Sequence, residues 1–489
     1  MAHIPNAVLE KQKTFTGLHV RHRGKVRDSC DLPDHPDKML VVASDRCSIF
    51  DFVLPTLVPL KGQILTALNH FWTTQVLNGI CETDFIAAGA DIDAYVPEKL
   101  RGNIELQKRA TVVRIHPSPE KEDIVRLYLT GSGWASYQKN LSICGHRLMP
   151  GLLDGNKLPY PLYTPSDKAV EGHDEHINAD YVAEQWGFMH ERLALQIAGA
   201  ISAHAEKCGI ILADTKFEIT VSEDGCIVLV DEKGTPDSSR FWDSKAWKKA
   251  QVKGLLPPSL DKQYVRKYGK DAGIDKLDPS NPEHLAIVDN LCVPSSVTDM
   301  TTRIYRYIFW RLTGMQIEVY QNKMMGMATS RRKPRVEIVI GSESDRPQTT
   351  AGLDYLDETA DYRVSVISCH RNKKPLRSFS KKHLIQADIV IAGAGMAAAL
   401  PGDVKSELCM LGHPEIPVIG VAFKGQTEDA NMAAKLCIEQ LPESPVELTQ
   451  NGTAYFGKPG FHDACIAAVE HEFLPKAFSP KPAKIGRFN

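Results

Sequence analysis

One strand-like segment carries three charged residues at alternate positions. In GIILADTKFEI, Asp214, Lys216 and Glu218 are two residues apart, so on a β-strand their side chains project from one face. The Asp224-Gly225 pair that follows predicts a two-residue type I′ turn, whose register places Glu218 directly opposite Asp231. Two such carboxylates repel unless a cation lies between them, and either Lys216 or Mg²⁺ with ligand phosphates would fill that place. The alternative is a solvated hairpin face with an ion-pair network.

Two further segments carry residue types suited to a phosphorylated ligand. TPDSSRFW, residues 235–242, combines an Asp, two hydroxyls and Arg240. Near the start of the chain, HRGKVRDS places Lys25 and Arg27 at alternate positions just after Gly24. The glycine lets the backbone approach phosphates, and the two cations, predicted to share one face, would hold them. The Walker A pattern occurs nowhere in the chain, so these cations indicate a phosphate site of another kind.

The last third of the chain alternates strand-like and helix-like segments. The apolar runs VEIVI, YRVSVIS, ADIVIAG and PVIGVAF are separated by helical stretches, the first near residues 348–358. Nearly continuous apolar strands are typical of a parallel sheet covered on both faces. They predict a doubly wound, flavodoxin-like α/β domain over residues 334–489, preceded by a linker at 326–333.

The first part of the chain, residues 1–325, has a different pattern. Its strands come as hairpins, as in GIILADTKFEITVSEDGCIVLVDE, and helices are predicted over residues 179–207 and in a run that ends near residue 320. This pattern predicts an α+β domain of two lobes with a cleft between them.

Composition excludes several classes of function. The chain is 43% hydrophobic and 24% charged, with a formal net charge of −2, whereas a nucleic-acid-binding protein has a strong basic excess. No apolar run reaches the ~18 residues needed to span a membrane, and the first residues lack the pattern of a secretory signal. The 11 cysteines include no C-x-x-C pair, so we expect reduced thiols in a cytoplasmic enzyme.

A glycine-rich stretch in the α/β part suggests a redox alternative. In ADIVIAGAGMAAALPG, Gly393, Gly395 and Ala398 have the G-x-G-x-x-A spacing of dinucleotide-binding loops. A Rossmann fingerprint normally follows the first strand of its domain, whereas this loop follows the third. An acidic residue is expected at the end of the next strand, and Lys424 lies there instead. An NAD(P)- or flavin-dependent oxidoreductase is therefore the alternative, and close approach of the loop backbone to another ligand is the preferred interpretation.

An ordered set of segments resembles the SAICAR synthetase (phosphoribosylaminoimidazole-succinocarboxamide synthase) family of purine biosynthesis. The matching segments, between about residues 15 and 315, are GKVRD, VASDRCSIFD, PLKGQIL, EDIVRLYLTGSGWASY, TPSDKAVEGHDEHI, LADTKFE, VDEKGTPDSSRFW and DKQYVR. The resemblance implies an ATP-dependent ligase that joins L-aspartate to carboxyaminoimidazole ribonucleotide (CAIR) through an acyl phosphate. Its implied cofactors are ATP and Mg²⁺.

The same resemblance implies roles for individual residues. Lys216 would neutralise charge near the transferring phosphoryl group, and Asp214 on the same strand face is the second predicted catalytic residue. The implied ATP-binding residues are Lys25, Arg27, Glu218 and Asp231, of which Glu218 and Asp231 would carry Mg²⁺. The implied substrate-binding residues are Arg126, Ser132, Lys168, Asp174, Asp237, Arg240 and Lys262, with Lys168 and Asp174 in a lid loop at 164–177.

Small departures from the family pattern leave every charged position in place. Leu127 replaces a usual Gly, Ile219-Thr220 a usual Phe-Gly, and Lys233-Gly234 a usual apolar pair. The motif GHDEHI in the lid loop also offers metal-ligand residue types, but contiguous residues rarely converge on one ion, so the lid interpretation is preferred.

The α/β part resembles the CAIR mutase and carboxylase family, which acts one step earlier. The matching pieces are VEIVIGSESD, VSVISCHRN, IVIAGAGMAAALPG and PVIGVAF. The resemblance implies that His370 transfers a proton. It also implies a homo-oligomer, an octamer assembled through this domain. The implied substrate-binding residues are Ser342, Ser344, Asp345 and Arg371.

Two departures leave the activity of the α/β domain open. The family loop reads close to GAGGAAHLPG, and here Met396 replaces a Gly and Ala399 replaces the His. A Met side chain crowds a loop whose backbone contacts substrate, and a lost polar contact weakens binding by ~1–3 kcal/mol. Two hypotheses remain: a second active enzyme, and a catalytically silent domain that serves assembly. Small molecules are the expected partners, with no nucleic acid and no membrane.

Overall fold

The computed structural model describes residues 3–11, 17–167, 176–329 and 331–476. The chain divides into two compact units, Met1–Thr329 and Ser330–Asn489. Each unit has its own sheets and its own apolar core.

The first unit combines antiparallel strands with separate helices. Its strands are β1 (Val20–Arg23), β2 (Arg27–Asp31), β3 (Lys38–Ala43), β4 (Arg46–Ile49), β5 (Phe52–Leu57), β6 (Glu82–Thr83), β7 (Phe85–Ala88), β8 (Ala110–Arg114), β9 (Lys121–Tyr128), β10 (Ser142–Ile143), β11 (His146–Arg147), β12 (Lys157–Tyr163), β13 (Ser166–Asp167), β14 (Ile210–Val221), β15 (Ile227–Val230) and β16 (Ser239–Asp243). Its α-helices are α1 (Asn6–Lys11), α2 (Lys61–Phe71), α3 (Ile104–Gln107), α4 (Gly131–Asn140), α5 (Ala179–Trp186), α6 (Met189–Lys207), α7 (Ser244–Gln251), α8 (Gln263–Asp271), α9 (Pro282–Asp289), α10 (Ser295–Thr313) and α11 (Ile317–Met324). A π-helical turn covers Trp72–Val76, and 3₁₀ turns cover Gly89–Ala94, Glu98–Leu100 and Ile274–Lys276.

Two large sheets organise this unit. The five-stranded sheet has the order β1-β2-β3-β8-β7, and the seven-stranded sheet follows β12-β9-β14-β15-β6, with β13 paired to β9 and β16 to β14. Strands β6 and β7 belong to different sheets and are separated by Asp84 alone. The chain therefore crosses from one sheet to the other at this residue.

Helix α6 supports the seven-stranded sheet. It packs against β9, β12 and β14, and its buried residues include Ala194, Ile197, Ala198, Ile201 and Ala205. Their spacing of three or four residues forms one apolar stripe along the helix. Strand β14 is thereby held in the interior of the unit, where its charged residues are partly shielded from water.

The turn between β14 and β15 differs from the predicted one. Ser222 N donates to Cys226 O at 2.8 Å and Gly225 has φ 83°, so the loop has three residues, 223–225, with the glycine in the left-handed region. Ser222 Oγ accepts from Cys226 N at 3.0 Å, and this local bond favours the longer loop. The pairing shifts by one residue: Glu218 lies opposite Val230, so the predicted opposition of Glu218 and Asp231 is wrong.

Two predicted helices are each interrupted by a glycine. Helix α5 ends at Trp186, and Gly187 (φ 79°, ψ 164°) separates it from α6. Helix α10 ends at Thr313 with Gly314 at φ 73°, and α11 begins at Ile317. Glycine is the usual residue in these backbone conformations, so both continuous helices, over 179–207 and up to 320, were wrong.

The second unit is a parallel sheet with helices on both faces. Its strands are β17 (Arg335–Ile340), β18 (Asp361–Val366), β19 (Ile389–Ala394), β20 (Val418–Ala422) and β21 (Tyr455–Phe456). Its helices are α12 (Thr350–Thr359), α13 (Lys373–Lys382), α14 (Leu400–Met410), α15 (Glu428–Glu439) and α16 (Gly457–Glu470), with 3₁₀ turns at Glu343–Gln348 and Leu384–Gln386. The order β18-β17-β19-β20-β21, parallel throughout, is that of flavodoxin-like folds. The predicted parallel α/β sheet is confirmed.

Alternate residues of these strands enter two separate cores. Val339 and Val390 pack in a cluster with residues of α13, α14 and α15. Ile338 and Ile391 pack in the other cluster, with residues of α12 and α16. Because both faces are covered, the central strands β19 and β20 are apolar throughout, whereas the edge strand β18 exposes Asp361 and Arg363. Ligand-binding groups are left to the loops at the carboxyl ends of the strands.

Candidate functional site

Two of the three alternating charges of β14, Asp214 and Lys216, form ion pairs with residues of neighbouring strands. Asp214 lies opposite Arg126 of β9 on one side and opposite Arg240 of β16 on the other. Lys216 is paired with Glu122 of β9. These cross-strand positions explain why residues distant in the sequence share one face of the sheet.

Asp214 holds two arginines with one oxygen. Its Oδ2 accepts from Nη1 of Arg126 at 2.8 Å and from Nη1 of Arg240 at 2.8 Å. Burial and the positive charge of Arg240 together outweigh Asp214 and lower the pKa of Arg126 below its usual value. Two guanidinium groups that share one carboxylate leave a net positive charge, which suits an anionic ligand.

The start of helix α4 lies close to both guanidinium groups. A Cβ on Gly131 would lie 2.1 Å from Nη1 of Arg240, and one on Gly133 would lie 3.0 Å from Nε of Arg126. Ser132 Oγ between them accepts from Nη2 of Arg126 at 2.9 Å. Glycines are needed here for the close approach. The N-terminal amides of a ten-residue helix and two arginines therefore lie together, which is favourable for a phosphate or carboxylate.

Arg27 and Asp231 form an ion pair between the two large sheets. Arg27 begins β2 in the five-stranded sheet, and Asp231 follows β15 in the seven-stranded sheet. Nη2 of Arg27 donates to Oδ2 of Asp231 at 2.6 Å. Burial alone would raise the pKa of Asp231, but the charge of Arg27 and this hydrogen bond lower it below its usual value. Asp231 is therefore ionised at neutral pH.

Lys216 lies among several carboxylates. Its Nζ donates to Oε1 of Glu122 at 2.5 Å. Burial alone would lower the pKa of Lys216, but Glu122 and the nearby charges of Glu218 and Asp231 raise it above its usual value. Glu218 and Asp231 thus lie near the same ammonium group, although they do not face each other across the hairpin.

The carboxylates of Glu218 and Asp231 fit Mg²⁺ only in part. Oxygen is the ligand that Mg²⁺ prefers, and in nucleotide sites it takes one or two carboxylates plus phosphate oxygens and water. Among the residues that the structure describes, no group of three or more His, Cys, Asp or Glu side chains is arranged as a metal site. The two carboxylates fit a magnesium ion that also binds the phosphates of a nucleotide.

Contrary to the prediction, Lys25 does not share a strand face with Arg27. Gly24 N donates to Arg27 O at 2.8 Å and closes a turn before β2. Lys25 lies within that turn, where its Nζ is 2.6 Å from Oδ1 of Asp51. The prediction was wrong because β2 begins only at Arg27.

Asp237 lies in a buried network. Its Oδ2 accepts from Nζ of Lys61 at 2.6 Å, its Oδ1 accepts from the hydroxyl of Tyr305 at 2.5 Å, and Lys262 is 3.8 Å away. The side chains of Asp237 and Lys61 are 6% and 0% exposed. Contact of Asp237 or Lys262 with substrate stays a prediction, and both are part of the interior charge network of this unit.

Sequence reasoning missed several partners of these residues. Glu122 is the second residue of β9 and lies four positions before Arg126, so alternation along that strand signals it. Lys61 and His176 carry no such signal, because they meet the site from other elements. His176 lies 3.2 Å from Ser132 Oγ through its Nε2. The lid residues Lys168 and Asp174 lie outside the described residues.

The second unit brings two predicted loops together at the carboxyl edge of its sheet. Asp345, in the loop after β17, lies beside Gly395, in the loop after β19, where a Cβ would be 3.6 Å from its Oδ1. Ser344 Oγ donates to Oγ of Ser342 at 2.8 Å. Burial raises the pKa of Asp345, against a smaller opposing effect of the backbone at Gly395 and Ser342. The loop after the first strand therefore meets the glycine loop, as ligand sites of open α/β sheets require.

Most of the other groups that the sequence singled out in this unit are exposed. His370 and Arg371 follow β18 and are both exposed. Met396 has φ 54° and its side chain is 71% exposed, so it occupies a left-handed backbone position that favours glycine. Ala399 directly precedes α14. Within this unit the side chain of Met396 projects toward solvent and is not packed into the core.

Comparisons with known proteins match both parts of the chain. Residues 20–278 match the SAICAR synthetase family and residues 335–470 match the AIR carboxylase family. A phosphoribosylaminoimidazole-succinocarboxamide synthase of Thioalkalivibrio sulfidiphilus is 40% identical over 310 residues, which cover 62% of this chain and 97% of that protein. The same enzyme of Syntrophobacter fumaroxidans is 38% identical over 330 residues, which cover 65% and 100%. Both resemblances inferred from the motifs are confirmed.

A solved structure is similar to the first part of the chain. The SAICAR synthase of Saccharomyces cerevisiae in complex with SAICAR is 32% identical, covers 62% of this chain and 97% of that one, and has a TM-score of 0.52. Within the described ranges, none of the helices combines the length and the apolar character needed to cross a membrane.

Proposed function

We propose, from the premise that this chain belongs to the SAICAR synthetase family of purine-biosynthetic ligases, that its first unit converts CAIR, L-aspartate and ATP to SAICAR, ADP and phosphate. The observation that carries the proposal is the pair of charge clusters on one strand. Asp214 lies with two arginines at the start of α4, and Lys216 lies near Glu218 and Asp231. One cluster suits an anionic ribonucleotide and the other a magnesium nucleotide.

The arginine cluster binds and orients CAIR in this proposal. Arg126, Arg240, Ser132 and the N-terminal amides of α4 supply donors to its phosphate and carboxylate. A carboxylate is a poor electrophile until one of its oxygens becomes a leaving group. The CAIR carboxylate attacks the γ-phosphate of ATP, ADP leaves, and the amine of aspartate then attacks the acyl phosphate and releases phosphate.

Lys216 stabilises the charge that moves during phosphoryl transfer. It remains protonated because the surrounding carboxylates raise its pKa, and a fixed cation at this point acts electrostatically. Lys25 and Arg27 contact the phosphates of ATP from the β1–β2 turn and β2. Mg²⁺, when bound with the nucleotide near Glu218 and Asp231, neutralises phosphate charge.

Lys216→Met tests the ligase proposal. We expect kcat for aspartate-dependent ADP release to fall by about 10²–10³-fold, as for other single electrostatic groups of this kind. Lys249→Met, at an exposed lysine of α7, is the matched control and should retain full activity. Absence of aspartate-dependent ADP release in the native protein given CAIR and Mg-ATP would refute the proposal.

The second unit is proposed to bind the same class of ribonucleotide and to carry out the preceding, CAIR-forming step. The contact between Asp345 and Gly395 supports this, because it joins the first and third loops in the arrangement used by ligand sites of such sheets. Ser342, Ser344 and Arg371 would bind ribose and phosphate, and His370 would move the proton of the imidazole ring. The alternative is a catalytically silent domain that serves assembly.

An assay of SAICAR formation from aminoimidazole ribonucleotide, bicarbonate, aspartate and Mg-ATP separates these two. If the second unit is active, His370→Ala should lower this coupled rate by about 10²-fold and leave the rate from added CAIR unchanged. If the native protein and His370→Ala have the same coupled rate, equal to that of non-enzymatic CAIR formation, the silent domain is favoured.

Light scattering on the full chain tests the proposed homo-oligomer, for which we expect eight copies. Cell fractionation tests the expected cytoplasmic location.

A further inference from the structure

A buried ion pair lies against the backbone of Asp231. Nζ of Lys233 is 2.8 Å from Oδ1 of Asp84, and the two side chains are 0% and 8% exposed. Neither residue belongs to the set that the sequence motifs assign to a ligand. A buried ion pair adds little stability over well-packed apolar side chains. Stability alone therefore does not explain why an ion pair lies at this place.

The pair is hydrogen-bonded to both backbone groups of Asp231. Oδ2 of Asp84 accepts from Asp231 N at 3.2 Å, and Nζ of Lys233 donates to Asp231 O at 2.9 Å. Asp231 itself has φ 62°, a left-handed conformation that costs a non-glycine residue free energy. The two bonds therefore hold an otherwise unfavourable backbone, and we call Asp84 and Lys233 the clamp.

The clamp also joins the two large sheets next to the candidate nucleotide site. Asp84 N donates to Leu229 O of β15 at 3.2 Å, and Asp84 O accepts from Arg114 N of β8 at 2.8 Å. Arg27, the partner of Asp231, lies in the sheet that contains β8. The distance between the guanidinium of Arg27 and the carboxylate of Asp231 thus depends on the junction at Asp84.

Gly234 restricts the direction of the Lys233 side chain. Gly234 has φ 60°, and a Cβ there would lie 2.9 Å from Nε1 of Trp72. The same Nε1 donates to Gly234 O at 2.8 Å. The backbone that carries Lys233 is therefore anchored on the buried Trp72, which leaves Nζ directed at Asp84 and Asp231.

We propose that Asp84 and Lys233 are positioning residues, which hold the backbone of Asp231 so that its carboxylate is directed at Arg27 and at a metal-bound nucleotide. They do not contact the nucleotide themselves. The role in nucleotide binding rests on the ligase function proposed above, whereas the effect on the Asp231 backbone does not.

Lys233→Met in the full chain tests the clamp with two readouts. Hydrogen exchange of peptides that cover residues 226–234 should become at least about fivefold faster, with other regions unchanged. The free Mg²⁺ concentration for half-maximal ligase activity should rise about tenfold, the lower end of the effect of residues that orient metal ligands, with KM for CAIR within about twofold of the native value. Lys405→Met is the matched control: this lysine is buried in the second unit and donates to the carbonyl oxygens of Pro414 and Ile416, so neither readout should change.

A second variant guards against simple misfolding, since Lys233→Met leaves Asp84 buried without its cation. The double variant Asp84→Asn/Lys233→Met removes both charges. The side-chain amide oxygen that it places at position 84 can still accept from Asp231 N. We expect it to fold, with faster exchange at 226–234. Unchanged exchange there, or a lower kcat with unchanged Mg²⁺ dependence, would overturn the clamp. A native protein without ligase activity would refute the proposed function alone, because the exchange measurement still decides the clamp.

Discussion

The two units present acidic residues to their candidate sites in opposite ways. In the first unit, Asp231 is held by Arg27, and the pKa of Asp231 is lowered although burial opposes this. In the second unit, burial raises the pKa of Asp345, against a smaller opposing effect of the backbone at Gly395 and Ser342. One carboxylate is thus kept ionised by a cation, and the other is shielded among amides.

This difference matches the chemistry proposed for each unit. Phosphoryl transfer moves several negative charges, so the site needs cations and carboxylates that are held in place before the substrate binds. Movement of a carboxyl group and a proton on an imidazole ring needs one titratable group and donors to a phosphate. The first unit accordingly buries charged networks, and the second leaves His370 and Arg371 exposed.

Asp237→Asn tests the cost of the buried networks and should have the largest effect. It leaves the buried Lys61 without its counter-ion, so we expect the free energy of unfolding of the first unit to fall by about 3–5 kcal/mol. Urea unfolding followed by tryptophan fluorescence measures this change. A loss below about 1 kcal/mol would show that the network does not differ energetically from a surface ion pair.

The same variant has a defined pH dependence. Burial alone would raise the pKa of Asp237, but Lys61 and Lys262 lower it below the usual 3.8. A carboxyl group whose pKa is lowered on folding stabilises the folded state at pH values above its usual pKa. This stability is lost as the pH falls through the folded-state pKa. The difference between native protein and Asp237→Asn should therefore be constant from pH 6 to 7 and shrink below about pH 4.

Arg371→Met tests the exposed site and should have an intermediate effect. Because Arg371 is exposed, its loss should change stability by less than about 0.5 kcal/mol. The loss of a charged hydrogen-bond donor to a phosphate should raise KM for the ribonucleotide in the CAIR-forming assay by about tenfold. An unchanged KM in an active second unit would exclude Arg371 from substrate binding.

Met396→Gly should have the smallest effect. At φ 54°, glycine removes a left-handed strain of about 1 kcal/mol, offset in part by the greater freedom of the unfolded chain. We expect a net gain of at most about 1 kcal/mol in thermal unfolding of the second unit. A marked rise in CAIR formation would show that Met396 crowds the site, and an unchanged rate would show that its exposed side chain does not.

Local patterns and motifs predicted much of this protein. The nearly continuous apolar runs predicted the parallel sheet, because a strand buried on both faces has no room for polar residues. Alternation placed Asp214, Lys216 and Glu218 on one face, and the motifs singled out Arg126 and Arg240. The predictions of continuous helices over 179–207 and up to 320 were wrong, because Gly187 ends the first helix and Gly314 ends the second.

The sequence by itself determined the residue types of the two sites, the succession along the chain of the strands that carry them, and the family to which the chain belongs. Only the tertiary structure decided which charges meet. The register of β14 on β15 depends on a hydrogen bond of Ser222 inside the turn. Asp84 and Lys233 are 149 residues apart and become partners only where two sheets join. Such contacts depend on strand register and chain crossing, which local propensity does not encode.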